Sequence, residues 1–404
     1  MNPGWVWVAS ELYYPDEQAT GVFMTKIAEG LAARGMTVKA LAAHPHAGRV
    51  ANHEMLNGVE VFRCWSTRFS KDHLPGRVLN VLTGNLTMLF AALRRIRRKD
   101  LVLVVTNPPT LPFVIMFACL LKGAKCIVRV DDVYPDALHA VDVCSNDTLV
   151  YRVFDWLMKW LLRRADAMIV LGRDMQALVA SKTDVEKEIR VITNWADVDQ
   201  IRPDAEAGRA FLDEYGLTGK LVLQWAGNMG YPHEVETLLE AMEKLAHEDE
   251  VHFLYIGAGA KRPWLEEQAA EKGLRNVTFV GLLPREQQQA FLNGCDIGLS
   301  SLVAGMTGIS VPSRSYNILC AGKPILAVGE PEGEISQLLV DKDVGWVVSP
   351  GDSDKIVAAV QELLADRSVL KGMSARAREV AETEYSSAYI IDRYAEMIEE
   401  YRAD

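Results

Sequence analysis

Short apolar runs bounded by turn formers recur along the whole chain. In the first half Trp5–Ala9, Thr37–Ala42, Glu60–Cys64, Leu101–Val105, Lys125–Val130, Ala165–Leu171 and Glu188–Ile192 read as buried strands. Helical spacing falls between many of them, over Val22–Ala33, Pro75–Lys99, Leu149–Arg164 and Arg173–Ser181. Arg202–Gly208 is polar, with Pro and Gly, and reads as a linker. The pattern then restarts. Lys220–Trp225, Val251–Ile256, Val277–Val280, Cys295–Leu299 and Ile325–Val328 read as strands. Glu234–Ala246, Trp264–Lys272, Glu286–Asn293 and a final amphipathic stretch, Ala388–Tyr401, read as helices. Alternation of this kind predicts an α/β chain with parallel sheets. A length of 404 residues allows two or three domains, each with its own core.

Two helical stretches carry an unusual charge. Pro75–Lys99 repeats Val78, Leu82, Leu86, Leu89, Leu93 and Ile96 at helical spacing and ends in Arg94-Arg95-Ile96-Arg97-Arg98-Lys99. Leu149–Arg164 places Trp156 and Trp160 one turn apart beside Lys159, Arg163 and Arg164. Such helices suit an anionic membrane surface; a core-facing stripe with a solvated basic edge is the alternative.

Composition narrows the classes. The net charge is −11, so no global basic field would collect nucleic acid. Six scattered cysteines, mostly in apolar runs and none in a C-x-x-C pair, read as reduced core residues of a cytoplasmic protein. The chain enters its first strand without a basic leader, so no signal peptide is expected. The most apolar stretch, Leu101–Leu121, is broken by Asn107, Pro108, Pro109 and Pro112, and reads as strand, loop and helix rather than a membrane span. No D-x-D and no His/Cys cluster calls for a metal, and no G-x-G-x-x-G follows the first strand.

Four stretches carry candidate chemistry. Val311–Pro324 reads as a turn, a short helix stopped at Gly322, and entry to a strand. Its helix start, with Ser310, Ser313 and Arg314, makes an anion site; an ordinary capped core helix fits the same pattern. In Ala226–His233, Gly227 and Gly230 between strand and helix would let backbone approach a phosphate. Asp131 and Asp132 end a strand, where alternation aims only one at a ligand; a turn or cap Asp is the plainer reading. Thr20-Gly21 closes the loop after the first strand, as a ligand loop or as a plain connection.

Val311–Pro324, with Pro-Ser-Arg followed by Ala-Gly-Lys-Pro, resembles the donor-binding segment of family 4 retaining glycosyltransferases. The similarity is to the bacterial polysaccharide branch of fucosamine-transferase-like enzymes. It extends over nearly the whole chain, including Thr193–Asp199 at the domain junction. It implies the GT-B fold: two Rossmann-like domains with parallel sheets facing an interdomain cleft. The acceptor-side domain would span 1–200 and the donor-binding domain 205–385, with a C-terminal helix at about 386–404 packing back on the first.

The resemblance implies sugar transfer, with retention, from a nucleotide-diphosphate sugar to a hydroxyl of a glycan or polyprenyl-diphosphate-linked acceptor, without a cofactor. Asp132, with Asp131 second, would lie against the reacting sugar. Thr20 and Gly21 would touch the donor phosphates or the acceptor. Gly227, Asn228 and Gly230 would form the phosphate loop, and the backbone about Leu282 would hold the base. Gly308 and Ser310 would touch the sugar, and Glu334 would lie near the donor, although a first-turn helix Glu fits that position equally. Two departures stand out. Asn228 and His233 stand where relatives carry Arg and Lys, which shifts the phosphate charge onto Arg314 and onto Lys261 or Arg262. Ile309 and Asn317 replace a pair of Glu residues, leaving Asn317 as a neutral ribose ligand. A nucleotide-sugar epimerase and a non-catalytic nucleotide- or sugar-binding protein are the alternatives. The missing glycine fingerprint sets a dehydrogenase aside.

Overall fold

The computed structural model describes residues 4–45, 50–69, 74–183 and 186–403. Its contacts divide it into two units. One comprises residues 1–136, 145–193 and 388–404; the other comprises 137–144 and 194–387.

The first unit is built on eight strands: β1 Val6–Ser10, β2 Val38–Ala43, β3 His53–Leu56, β4 Val59–Cys64, β5 Leu101–Val105, β6 Lys125–Val130, β7 Ala167–Val170 and β8 Glu188–Val191. Their order is β3-β4-β2-β1-β5-β6-β7-β8. All neighbours are parallel except β3 and β4. Every residue of β1 and β5 is buried, as expected of central parallel strands covered on both faces. The antiparallel β3–β4 hairpin departs from the all-parallel expectation. Asn57 and Gly58 turn it with φ of 47° and 83°, the conformation such two-residue turns require.

The helix expected over Pro75–Lys99 runs from Leu74 to Arg95. It stops early because the next residues form a turn around buried Asp100. That carboxylate accepts from the backbone N–H of Trp5 (3.0 Å) and Arg97 (2.9 Å) and from Trp7 Nε1 (3.0 Å). Its outward face is also a finding. Val78, Leu82, Leu86 and Phe90 are exposed, while Met88, Ala92 and Ile96 are buried.

The final helix, Ser387–Ala403, belongs to this unit. Tyr394 Oη accepts from Arg129 Nη1 (2.8 Å), and Arg402 Nη2 donates to Gly4 O (2.9 Å). Gly30, inside helix Ala19–Ala33, lies so close to Ile391 that a Cβ there would be 2.6 Å from its Cγ2. The cost of a mid-helix glycine is therefore accepted for close helix packing.

The second unit has six parallel strands: β9 Leu221–Ala226, β10 Val251–Ile256, β11 Val277–Val280, β12 Ile297–Ser301, β13 Ile325–Val328 and β14 Gly345–Val348. Their order is β11-β10-β9-β12-β13-β14. Trp225, Phe253, Tyr255 and Leu299 lie in a core that packs this sheet against helices Glu236–Lys244 and Ser353–Ala365. The stretch read as a linker, 202–208, instead opens helix Ala205–Glu214. Asp204 caps it, accepting from Ala207 N (2.9 Å). Gly208 sits against the backbone of Asn293, where a Cβ would come within 2.3 Å of the carbonyl oxygen.

Candidate functional site

In the second sheet the strand order reverses between β9 and β12. Connections leaving those two strands diverge, which opens a crevice at their carboxyl ends. The loop after β9, Gly227–His233, and the loop after β12, 302–313, meet there, with Val303 N donating to Pro232 O (2.9 Å). Glu330 organises the second loop by accepting from Gly305 N (3.2 Å), Thr307 N (3.3 Å) and Thr307 Oγ1 (2.6 Å). A third loop, after β10, is keyed in by glycine. Gly257 (φ 128°) and Gly259 (φ 145°) leave no room for a Cβ, which would lie 2.3 Å from the backbone of Gly227 and of Met229 respectively.

Arg314 opens the short helix Arg314–Cys320 and turns its side chain back over the loop after β9. Its guanidinium lies 3.8 Å from the ring centre of Trp225. Nη2 donates to Asn228 O (2.6 Å) and reaches His233 Nε2 at 2.9 Å. Nη1 is buried and has no hydrogen-bond partner. Gly227, at φ 134°, brings its backbone beside the guanidinium.

The protonation state of His233 follows from its contacts. Its Nδ1 lies 2.9 Å from Ser301 O, so Nδ1 carries the proton and Nε2 accepts from Arg314. Burial and the nearby Arg314 charge press its pKa down to about 3, so the ring stays neutral at pH 7. The surroundings of Arg314 are thus a carbonyl oxygen, a neutral imidazole and an indole face. Among the described residues no carboxylate pairs with it. Burial lowers its pKa from the usual range, though a guanidinium remains charged at pH 7. A half-buried cation with neutral partners, no paired carboxylate and one buried N–H left without a partner lacks a counter-charge that an anion would supply.

The other second-unit candidates fall into groups. Asn228, Gly230 and His233 share the loop that Arg314 touches. Ser313 is the N-cap of the Arg314 helix, and half-buried Asn317 lies on its first turn. Gly308 (φ 76°) and Ser310 lie in the loop after β12. Lys261 is held by Glu236, Nζ to Oε1 3.0 Å, so its charge is already compensated. Arg262 donates to Gly257 O and Val280 O and pairs with Glu266 (2.7 Å), which makes it a brace of the loop after β10. The Leu282 side chain is exposed, leaving backbone as its means of contact. Glu334 is buried at the start of helix Glu334–Lys342. Sequence reading did not mark Trp225 or Ser301. Their strand-end positions flanking the reversal point are the signal that could have found them.

In the first sheet the order reverses between β1 and β5. The first turn of helix Ala19–Ala33, which holds Thr20 and Gly21 rather than leaving them in the loop after β1, and the loops after β5 and β6 supply one polar network there. Asn107 Nδ2 donates to Thr20 Oγ1 (3.2 Å), and Thr20 Oγ1 donates to Asp131 Oδ2 (3.4 Å). Gly21 is packed against the Asp16 carbonyl, 3.2 Å from where a Cβ would sit. Asp131 Oδ1 accepts from the fully buried Arg129 (Nε, 2.6 Å). Burial alone would lower the Arg129 pKa, but the Asp131 charge and Tyr394 raise it instead. Asp131 is the counter-ion of a buried arginine. The Asp132 backbone meets Thr106 Oγ1 through both its N–H and its C=O (3.5 and 3.3 Å). Beside this network lies a pocket of about 280 Å³, with Glu11, Gln18, Asn80, Asn85 and Asn107 over an apolar floor of Val81 and Met88. Among the described residues no group of three or more His, Cys, Asp or Glu is placed to hold a metal ion.

Residues 19–195 match the family model described as "Glycosyl transferase 4-like domain", and residues 220–366 match "Glycosyl transferases group 1". Over 329 residues the chain is 31% identical to "Probable glycosyltransferase WbjE" of Pseudomonas aeruginosa, covering 81% of each protein. The chain belongs to this glycosyltransferase family. The glycosyltransferase is also 22% identical over 400 residues to the O-antigen chain mannosyltransferase C of Escherichia coli, covering 95% of each. Among solved structures it is similar to sucrose-phosphate synthase from Thermosynechococcus elongatus, with TM-score 0.76, 16% identity and 99% of each chain covered. It is likewise similar to Anabaena Alr3699/HepE in complex with UDP and glucose, with TM-score 0.73 and 13% identity over 98% of this chain and 99% of that one. At such identities these likenesses show the fold, GT-B, with its two α/β domains.

Proposed function

We propose that this glycosyltransferase moves a sugar from a nucleotide-diphosphate sugar to a hydroxyl of a glycan or polyprenyl-diphosphate-linked acceptor, with retention at the anomeric carbon. The single observation that carries the donor half is Arg314, a half-buried guanidinium with neutral neighbours and a buried, unpaired Nη1 at the β9/β12 reversal point. A diphosphate supplies the missing charge. As the bond from the anomeric carbon to the phosphate oxygen breaks, that oxygen gains charge, and Arg314 stabilises it most at that point. Gly227, Asn228, Gly230, Gly308, Ser310 and Ser313 line the diphosphate and sugar path. Asn317 takes the ribose, Glu334 lies near the sugar, and backbone at Leu282 meets the base. Lys261 is demoted by its pairing with Glu236.

The first unit takes the acceptor in the amide-lined pocket, whose Asn107 donates to Thr20, next to Gly21. Amides, a carboxylate and an apolar floor suit hydroxyl groups and sugar C–H faces. In the transfer the acceptor oxygen bonds the anomeric carbon and its proton passes to the departing diphosphate. Asp132 orients the reacting sugar, a role proposed on the sequence resemblance, with Asp131, the counter-ion of Arg129, as the second candidate. No protein nucleophile, metal or cofactor is assigned.

The name of the O-antigen chain mannosyltransferase supports a role in surface polysaccharide synthesis, on the cytoplasmic side where nucleotide sugars are made. The fucosamine-transferase-like branch is proposed on the sequence motif alone. The test is incubation with a panel of nucleotide sugars, with and without lipid-linked glycan acceptors. Anomeric configuration of the product is read by NMR. Acceptor-dependent product with the donor's configuration is expected. Inversion would refute retention, and donor conversion without an acceptor would favour an epimerase.

A further inference from the structure

The pocket of the first unit is rich in amides, yet most of their N–H groups are already engaged. Asn80 and Met88 lie two turns apart on helix Leu74–Arg95, with Val81 and Asn85 beside them, so they share the side of the helix that lines it. The loops after β1 and β5 add Glu11, Leu12 and Asn107. Asn80 is bonded at both ends: Nδ2 donates to Phe69 O (2.9 Å), and Oδ1 accepts from Phe69 N (3.0 Å) and Thr67 Oγ1 (2.9 Å). Asn85 Nδ2 donates to Thr110 Oγ1 (2.7 Å). Asn107 Nδ2 donates to Thr20 Oγ1 (3.2 Å), and this orientation is fixed because the single Thr20 hydroxyl proton goes on to Asp131. Asn85 and Asn107 are thereby left with carbonyl oxygens to offer, which accept and cannot donate.

The excess of acceptors selects by charge. Glu11 adds a carboxylate, and the side-chain donors that remain, in Gln18 and Ser66, are neutral. Among the described residues that line the pocket there is no Lys, Arg or His. A carboxylate or phosphate seated here would leave water to face carbonyl oxygens and the Glu11 charge, with no cation to meet it. Hydroxyl and amide N–H groups instead find the acceptors they need. The floor adds a second criterion. Leu12 and Met88 are buried and, with Val81, present apolar surface that fits a methyl group or the C–H face of a sugar ring.

We infer that this pocket takes an acceptor sugar without negative charge, which presents hydroxyl or amide N–H donors to Glu11, Asn85 and Asn107 and a methyl or C–H face to Met88 and Val81. Neutral 6-deoxy and N-acetylamino sugars carry both features; uronic acids and phosphorylated sugars are refused. The inference rests on the reading of this pocket as the acceptor site, and it makes Glu11, Asn85 and Met88 specificity-determining residues.

The experiment is titration of the full chain, labelled at its methionine methyl groups, with methyl glycosides, read by NMR without donor or turnover. The signal lost in Met88→Leu is the reporter. Neutral 6-deoxy and N-acetylamino glycosides should move it with affinities at least about tenfold tighter than those of the matching uronides and sugar phosphates. Glu11→Gln/Asn85→Lys, which places a cation in the pocket, should tighten uronide binding by about tenfold and weaken that of the neutral glycosides. Asn85→Lys alone, at a half-buried helix position, is the second variant and should shift the preference in the same direction. Uronide binding as tight as neutral binding in the wild type, or a Met88 signal that no neutral glycoside moves, overturns the proposal. So does an unchanged preference in both variants when their thermal transitions match wild type. The transfer reading fails separately: neutral glycosides that occupy the pocket yet are extended from no nucleotide sugar would support the selectivity and refute the transfer.

Discussion

Of the neighbouring carboxylates Asp131 and Asp132, Asp131 is the one whose pairing sets a stability prediction. Arg129 is fully buried, and its Nε meets Asp131 Oδ1 at 2.6 Å while Nη1 meets Tyr394 Oη at 2.8 Å. Asp131→Asn keeps an acceptor oxygen near Nε but removes the counter-charge. Breaking a buried pair in this way costs about 3–5 kcal/mol, and the retained hydrogen bond puts this case near about 3 kcal/mol. Replacing both charges removes the orphan, so Arg129→Met/Asp131→Asn should recover most of the loss. The loss should be local to the first unit. Native-state hydrogen exchange of β6 and of helix Ser387–Ala403 therefore reads it more directly than one global midpoint. Asp132→Asn should lower the turnover rate by on the order of 10²-fold. Normal exchange protection in Asp131→Asn together with lost turnover would refute the reasoning and move the sugar-orienting role to Asp131.

Three further outcomes follow from the geometry. Gly30→Ala should destabilise the first unit by about 1–3 kcal/mol, read by the same exchange experiment, because the new methyl meets Ile391. His233, lowered to about 3, binds fewer protons folded than unfolded, so stability present above pH 6.5 should be lost as pH falls towards 3; His233→Gln should flatten that slope in pH-dependent denaturation. Arg314→Met should lower kcat/KM by about 10–100-fold, the equivalent of a charged hydrogen bond worth about 1.5–3 kcal/mol, in a steady-state assay with the cognate donor.

Much of the fold is readable from local pattern. Leu101–Val105, Lys125–Val130, Val251–Ile256 and Ile325–Val328 are strands over the residues expected, because central parallel strands are continuous apolar runs with turn formers at each end. Helix Leu149–Arg164 is equally clear from its spacing. What escaped depends on partners distant in sequence. Ala205–Glu214 looks like linker until Asn293 is placed beside Gly208. The stripe on Leu74–Arg95 announces an amphipathic helix, but periodicity cannot say whether sheet or solvent lies against it. The same holds at the candidate donor site. Arg314 and Gly227 were each legible as phosphate-binding types. That the guanidinium lies on Trp225, with His233 held neutral by Ser301, follows from a strand-order reversal that joins residues about ninety positions apart.

The central claim is that the second unit holds a nucleotide diphosphate through Arg314. It is tested most directly by unfolding of wild type and Arg314→Met against a panel of nucleoside diphosphates and their sugars. A ligand at 100 times its Kd adds about 2.7 kcal/mol of stability. The account predicts such a gain with one base in the wild type and its loss in Arg314→Met. Without ligand, the variant should match wild type to within about 1 kcal/mol, since a half-buried cation without a counter-charge contributes little to stability. An undiminished gain in the variant, or no gain in the wild type with any member of the panel, would contradict it.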